Sequence, residues 1–149
     1  MQSYDFDESL SYWVVSTSQA VHRRLNELLM PEGITFRQSH VIGWLAHSGP
    51  MSQTELARRM MIEPPTLVRI LDRMEQLGWL ERCESSTDRR QKILVLTESA
   101  SPIWDRIVAA ARQVREEGAE TLSAEEVALF KQLCRRVRDN LQRHCAERF

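Results

Sequence analysis

The sequence has 149 residues, and its 20 Lys and Arg against 21 Asp and Glu give a formal net charge of −1. That length fits one domain, or one domain with an appendage, and 42% hydrophobic residues exclude a disordered chain. No apolar run approaches the roughly 18–20 residues of a membrane span, and the acidic stretch Met1–Glu8 lacks the pattern of a secretion signal. We therefore expect a cytoplasmic protein that has no membrane partner.

Two helices are predicted at the start of the chain. From Glu8 to Met30, apolar side chains recur at three- and four-residue steps, which is the period of a helix, and Pro31 and Gly33 end the pattern. A second helix is predicted from Thr35 to His47, followed by a stop at Ser48-Gly49-Pro50. The residues expected on the inner face of this second helix are Val41, Ile42 and Leu45.

A pair of shorter helices follows. Ser52-Gln-Thr-Glu55 has the pattern of a capping box, in which Ser52 and Glu55 each accept a hydrogen bond from the backbone N–H of the other. Proline suits the first turn of a helix, so Pro64-Pro65 opens the next helix, which runs to about Leu77 and stops at Gly78. The side chains expected inside the first of the two helices are Leu56, Ala57 and Met60.

One β-hairpin is predicted after these helices, and it is the only strand signal that we find. Leu80–Ser85 and Lys92–Leu96 alternate apolar and polar residues around a polar turn at Ser86–Arg90. After Thr97 a helix begins, with Pro102 in or near its first turn, and it reaches Gly118. A second capping box, Ser123-Ala-Glu-Glu126, opens a last helix whose apolar face carries Val127, Phe130, Leu133, Val137 and Leu141.

The order of these elements predicts a mainly α fold with a small β-hairpin. It is a winged helix-turn-helix with dimerisation helices at both ends of the chain. The predicted domains are an N-terminal dimerisation helix over 1–34, the winged helix-turn-helix over 35–98 and C-terminal dimerisation helices over 99–149. The outer helices carry more apolar stripe than one small winged domain can cover, so a second copy of the chain is the expected partner.

The helix from Pro65 to Leu77 is the candidate recognition helix. At 100° per residue, Leu67, Ile70, Leu71 and Met74 fall on one side of it. The outer face carries Pro65, Thr66, Arg69, Asp72, Arg73 and Gln76. Arginine can pair two donors with guanine, a threonine methyl can touch thymine, and the N-terminal part of such a helix meets the base edges. We expect Thr66 and Arg69 to contact bases and Arg73 to meet a phosphate.

The tip of the hairpin strengthens the DNA-binding interpretation. Asp88-Arg89-Arg90 places two guanidinium groups at the end of a ribbon, and a narrow minor groove attracts inserted arginine. Asp88 can hold one arginine in place while the other enters the groove. A pI near 6.4 points the other way, because DNA-binding domains are often basic. Ser52 and Gln53, where the preceding helix begins, complete the set of candidate DNA contacts.

Several short motifs together resemble the MarR family of transcriptional regulators, near its SlyA-like branch. The motif at the wing followed by Leu-Thr-Glu is specific in combination, whereas each piece alone is weak. The matching stretches are Gly33-Ile-Thr35, Ser52-Gln-Thr-Glu-Leu-Ala57, Pro65-Thr-Leu-Val-Arg69, Leu71-Asp-Arg-Met-Glu75, Leu77-Gly-Trp-Leu-Glu-Arg82, Thr87-Asp-Arg-Arg90 and Leu96-Thr-Glu98.

The resemblance implies a homodimer that binds a palindromic operator in double-stranded DNA, with Arg69 on the recognition helix and Arg89 in the minor groove. Many members of that family are repressors released by small aromatic acids, and some instead activate. The effector site of the family lies between the dimerisation region and the winged domain. Candidate contacts there are Trp13, which could stack on a ring, Arg23, which could pair a carboxylate, and Gln38 and His40 on the second helix.

Other functions receive less support. The alternative from another class is an architectural or protein-interaction module without an effector, and the arginines Arg69, Arg89 and Arg90 argue against it. Cys134 and Cys145 lie eleven residues apart on the last helix, too far along its axis to pair within one chain. For these two residues we favour a role as small buried side chains over redox sensing, and the sequence leaves the role of Cys83 open.

Metal and enzyme chemistry are not indicated. The four histidines form no cluster with Cys or Asp at ligand spacing, so neither a metal nor another cofactor is expected. The sequence contains no phosphate loop, nucleophile elbow, HExxH motif or Gly-rich dinucleotide turn. We therefore do not expect an enzyme.

Overall fold

The computed structural model describes residues 5–84 and 91–146, which divide into two compact units, one extending to Val114 and the other beginning at Arg115. Helices dominate, and the prediction of a mainly α fold with a small β element is confirmed. In chain order the elements are α1 (Leu10–Leu29), a 3-10 turn (Met30–Glu32), α2 (Phe36–Ser48), β1 (Met51–Ser52), α3 (Gln53–Met60), α4 (Pro64–Gln76), β2 (Leu80–Glu84), β3 (Lys92–Leu96), a 3-10 turn (Glu98–Ala100), α5 (Ser101–Gly118) and α6 (Ala124–Ala146).

The core of the first unit forms where α2, α3 and α4 pack on the sheet and on the first half of α5. The predicted inner face of α2 is confirmed, since Val41, Ile42 and Leu45 are almost wholly buried. On α4, Leu67, Leu71 and Met74 are fully buried as predicted. Met60 and Ile70 are only partly buried but still pack against this core. Its largest fully buried side chains include Ile42, Leu56, Leu67, Leu71, Met74, Leu80 and Leu94.

The sheet has one strand more than the sequence predicts. The hairpin forms with Leu80 opposite Leu96 and Glu84 opposite Lys92, but β1 adds to its far side in the order β1-β3-β2. Met51 pairs with Leu94 there, so the expectation that the hairpin holds the only strands is wrong. A segment of two residues is too short to show the alternating pattern of a strand in its sequence. β1 is a strand because its backbone pairs with that of β3.

The ends of the helices follow the predicted signals with one exception. At α6 both halves of the capping box form, since the Ser123 N–H donates to Glu126 Oε2 at 2.7 Å and the Glu126 N–H donates to Ser123 Oγ at 3.2 Å. At α3 only half forms. Ser52 Oγ accepts from the Glu55 N–H at 3.2 Å, but the Glu55 carboxylate instead binds arginines one turn further along the helix. The full capping box predicted at Ser52 is therefore wrong.

Apolar side chains remain exposed on the first and last helices. In the N-terminal half of α1, Leu10 and Val14 of the predicted stripe are exposed, whereas Leu25 and Leu28 pack against the core. The exposed apolar residues of α6 are Leu129, Phe130, Leu133 and Leu141. Surface of this kind is typical of a protein–protein interface. Across the described ranges, no helix is long and apolar enough to cross a membrane.

The cysteines differ from the sequence-based expectation. Cys134 is exposed on α6 and Cys83 is half-buried on β2, so the prediction of buried side chains is wrong for Cys134 in the single chain. The side chain of Cys145 lies outside the described part of the structure. Burial on the β2 strand and the neighbouring Glu81 carboxylate raise the pKa of the Cys83 thiol, which makes it a poorer nucleophile.

Candidate nucleic-acid interface

Helix α4 presents the predicted face to solvent. Its start is set by Pro64 and Pro65, which fit the first turn because the N–H groups there have no helical partner. Leu67, Leu71 and Met74 are buried and fix the rotation of the helix about its axis. The opposite face therefore stays exposed, and it carries Pro65, Thr66, Arg69, Asp72, Arg73 and Gln76, as predicted.

Arg82 of strand β2 forms ion pairs with the acidic residues of α4. Arg82 donates to Asp72 Oδ1 at 2.7 Å and to Glu75 Oε2, so one guanidinium holds both acidic side chains of the helix. Arg69 and Arg73 form no hydrogen bond or ion pair within residues 5–84 and 91–146. The outer face of α4 is consequently more basic than its sequence, because its acids are occupied and its arginines are not.

A groove of about 510 Å³ lies between α4, the start of α2 and the end of α1. It brings Arg69 and Arg73 together with Gln38, which the sequence assigned to a different site. It also contains Arg37, a residue that the sequence analysis missed. The signal was a positive charge at the second position of a helix, where acidic residues are favoured over basic ones.

Ser52 caps α3 and Gln53 is the first residue of that helix. Ser52 is half-buried, and because its oxygen caps the helix, its hydroxyl hydrogen is left to donate. Gln53 and Arg58 line a second groove of about 410 Å³, which continues to Met61, Glu63 and Pro64. Met61 takes the left-handed conformation, with φ of 50°, that lets the chain turn between the two helices.

An ion-pair cluster that the sequence analysis missed secures α3. Glu55 accepts from Arg58 Nη2 at 2.8 Å and from Arg59 Nε at 2.6 Å. These bonds lower the pKa of the Glu55 carboxyl to about 2. Arg59 also donates to Ser48 Oγ at 2.8 Å, and its guanidinium lies 5.2 Å from the centre of the Trp44 ring. Arg59 therefore links α3 to α2 by a hydrogen bond and a cation–π contact.

The wing is built as predicted up to its tip. Strands β2 and β3 pair in antiparallel register, and Lys92 Nζ lies 3.3 Å from Glu84 Oε1 at the end towards the turn. Asp88, Arg89 and Arg90 lie outside the described residues, so their role at the tip stays a prediction.

Comparison with known proteins identifies the family. A sequence model described as MarR family matches residues 32–91, which span α2 to the wing. The crystal structure of a transcriptional regulator, PA3341, is 31% identical, covers 91% of this chain and 99% of its own, and superposes with a TM-score of 0.81. The chain belongs to the MarR family. It is thus a transcriptional regulator, and the fold is that of the winged helix-turn-helix members.

Two further relatives extend the comparison. A MarR mutant from E. coli, solved in complex with operator DNA, is 28% identical over 91% of this chain and 99% of its own, with a TM-score of 0.79. An uncharacterized HTH-type transcriptional regulator of Bacillus subtilis (strain 168), YwoH, is 29% identical over 126 residues, 85% of this chain and 91% of its own. The assignment to the SlyA-like branch of the MarR family stays a prediction.

The four candidate effector contacts are not gathered into one described cavity. Trp13 is 53% exposed, and its Nε1 donates to the Asp7 carbonyl at 2.8 Å, which leaves a ring face open. Arg23 is exposed further along α1. Gln38 is buried, and its Oε1 accepts from the Thr35 N–H at 2.9 Å and from Thr35 Oγ1 at 3.0 Å. It completes a capping box on α2 and has only its amide nitrogen left for a ligand.

His40 belongs to a ring cluster between α1 and α2. Its ring centre lies 4.3 Å from that of Phe36 and 5.9 Å from that of His22. Burial and the neighbouring His22 lower the pKa of His40 below its ordinary value of 6.5. His40 is therefore neutral at neutral pH and offers a ring and a hydrogen bond, but no charge, to a carboxylate. No group of three or more potential metal ligands occurs among the described residues.

Proposed function

We propose that this MarR-family protein is a cytoplasmic, homodimeric repressor that binds a palindromic promoter site and is released by a small aromatic acid. The observation that carries the DNA-binding part is the outer face of α4. It presents Thr66, Arg69 and Arg73 while Arg82 occupies the two acids of the same helix. The E. coli relative solved with operator DNA supports the same function.

Each candidate residue has a role in this proposal. Arg69 pairs with guanine in the major groove, Thr66 and Pro65 contact the adjacent base edges, and Arg73 meets a phosphate. The Ser52 hydroxyl and the Gln53 amide donate to phosphates from the start of α3. In the wing, Arg89 enters the flanking minor groove, while Asp88 and Arg90 support it.

The dimer and its effector complete the proposal. The exposed apolar side chains of α1, and separately those of α6, are the surfaces that a second copy covers. An aromatic acid bound at one or more of the candidate contacts Trp13, Arg23, Gln38 and His40 changes the separation of the two recognition helices. Because both half-sites must be met at once, a small change in separation costs much of the affinity.

The test begins with DNA that the protein itself selects from fragments of its genome. Fluorescence anisotropy then compares a selected duplex with a scrambled duplex of the same composition, with and without a panel of aromatic carboxylates. We expect the selected duplex to bind at least 10³-fold more tightly, and a carboxylate to weaken it. Equal affinity for both duplexes would contradict DNA-sequence recognition and favour the protein-interaction module.

Two substitutions in the same assay distinguish the major-groove contact of Arg69 from the minor-groove contact of Arg89. Arg69→Ala should cost about 1–3 kcal/mol of binding free energy and relax the preference at one base position. Arg89→Ala should weaken binding to duplexes with a narrow flanking minor groove more than to others. If Arg89→Ala binds the selected duplex as tightly as the parent protein, the role assigned to the wing is wrong.

A further inference from the structure

The groove beside α4 concentrates positive charge that no side chain of the described structure neutralises. Arg37 of α2 and Arg69 and Arg73 of α4 all line it, and none of the three forms an ion pair within the described ranges. Several acids near these arginines in sequence are already paired. Glu32 pairs with Arg106 at 3.1 Å and Glu27 with Arg24 at 3.2 Å. Arg82 holds both acids of α4. Guanidinium groups stay charged at any physiological pH, so an anion that enters this groove meets positive charge that no described side chain neutralises.

The backbone of α2 adds a donor at the same place. In its first turn, the Phe36 N–H donates to Asn26 Oδ1 at 3.3 Å and the Gln38 N–H donates to Thr35 Oγ1 at 3.3 Å. The Arg37 N–H between them has no such bond within the part of the chain that the structure describes. Arg37 therefore combines a guanidinium with a backbone donor that has no partner among the described residues, a combination that suits a phosphate oxygen.

We propose that Arg37 binds a phosphate of the DNA backbone, at the edge of the major groove that α4 enters. This inference rests on the proposed DNA binding by α4, and it adds a contact from a different helix. The groove is continuous with Arg69 and Arg73, so DNA seated against α4 brings its backbone to the same charges. All three arginines are exposed, which fits a polyanion that passes across the surface better than a small ligand that must be enclosed.

A phosphate contact has a characteristic signature in salt. Each phosphate that a protein neutralises steepens the dependence of log K on log salt concentration by about 0.9, whatever the sequence of the duplex. A dimer carries two copies of Arg37, so Arg37→Gln should reduce the slope by about 1.8. Between 50 and 200 mM salt, the affinity advantage of the parent protein over the variant should then shrink by about 12-fold.

The experiment measures that slope by anisotropy for the parent protein, Arg37→Gln, Arg37→Lys and Arg112→Gln, on a selected and on a scrambled duplex. Arg112→Gln removes the same charge from an exposed position of α5 outside the groove, and it should leave the slope unchanged. Arg37→Lys keeps the charge and should retain most of the slope. Arg37→Gln should weaken both duplexes by the same factor, because a phosphate contact carries no sequence information.

Each other outcome overturns the inference. If Arg37→Gln and Arg112→Gln have the same slope, the groove does not hold a phosphate. If Arg37→Gln weakens only the selected duplex, Arg37 reads bases. If it abolishes the response to an aromatic carboxylate and leaves the slope intact, the groove holds the effector. A parent protein that does not prefer the selected duplex would instead contradict the proposed function, so the two failures are distinguishable.

Discussion

Glu55 shows how one side chain can satisfy a different need from the one that its sequence motif indicates. Its position three residues after Ser52 fits a capping box, but Arg58 and Arg59 follow it at helical spacing and offer charged donors. Hydrogen bonds to a charged partner are stronger than those to a backbone N–H, so the carboxylate binds the arginines. The motif identified the start of α3 correctly and the partner of Glu55 incorrectly.

Glu55 should also give the stability of the protein a measurable pH dependence. Its pKa falls from the ordinary 4.5 to about 2 in the folded chain, because Arg58 and Arg59 donate to the carboxylate. The unfolded chain then binds more protons between these values. The stabilisation is therefore present above about pH 4.5 and is lost as the pH falls towards 2. In Glu55→Gln this contribution is absent at every pH.

Urea unfolding at a series of pH values tests the prediction for Glu55. The difference in midpoint between the parent protein and Glu55→Gln should be largest near pH 7 and should narrow as the pH falls below 4.5. Glu120→Gln, at an exposed position that forms no ion pair in the described structure, serves as the control and should show no such narrowing. A constant difference between parent and Glu55→Gln across the series would argue that the arginines do not lower this pKa.

At the scale of whole elements, Arg82 joins strand β2 to helix α4. Its side chain is only 19% exposed, and it reaches from β2 to two carboxylates that lie one turn apart on α4. Replacing it with alanine removes both bonds and leaves Asp72 and Glu75 charged and unpaired. Both carboxylates are partly solvated, so we expect Arg82→Ala to cost about 1–2 kcal/mol in the free energy of unfolding.

Chemical denaturation measures that cost, and DNA binding measures its consequence. Arg82→Ala should also weaken the selected duplex, because the released acids repel phosphates on the outer face of α4. Arg138→Ala breaks an exposed pair between neighbours, Arg138 and Asp139, and should change the stability by less than about 0.5 kcal/mol. Equal losses of stability in the two variants would mean that Arg82 does not join the two elements.

The elements differ in how far their sequence determines them. The buried face of α4 repeats at a helical period, and the box at Ser123 depends only on local residues, so both could be predicted. The Thr35–Gln38 box was also open to prediction, since Thr-x-x-Gln is a capping pattern, but Gln38 was assigned to a ligand instead. Strand β1 and the pairing of Arg82 depend on residues seven or more positions away, in other elements. Nothing local to Met51 or Arg82 indicates them.

At the scale of the molecule, the exposed apolar surface of α6 is the strongest argument for the proposed homodimer. Of the residues of α6 with described side chains, Val127 and Val137 are half-buried and the others are exposed. Phe130 is 54% exposed and Leu141 63%. Leaving such side chains in water forgoes roughly 1.5–3 kcal/mol for each that could be fully buried. A second copy of the chain would bury the same surface from both sides, as an isologous interface does.

Disrupting this surface should separate dimerisation from folding. Phe130→Asp places a charge within the apolar stripe, and we expect a monomer by light scattering at micromolar concentration, with a helical circular dichroism spectrum close to that of the parent protein. Gln132→Asp introduces the same side chain at an exposed polar position of α6 and should leave the oligomeric state unchanged.

The Phe130→Asp monomer should bind a two-half-site duplex about 10²–10⁴-fold more weakly than the parent protein, because it loses the effective concentration of the linked second site. A single half-site should lose far less. If the parent protein is already monomeric at these concentrations, the proposed homodimer is wrong, and the apolar stripe of α6 would bind a different partner.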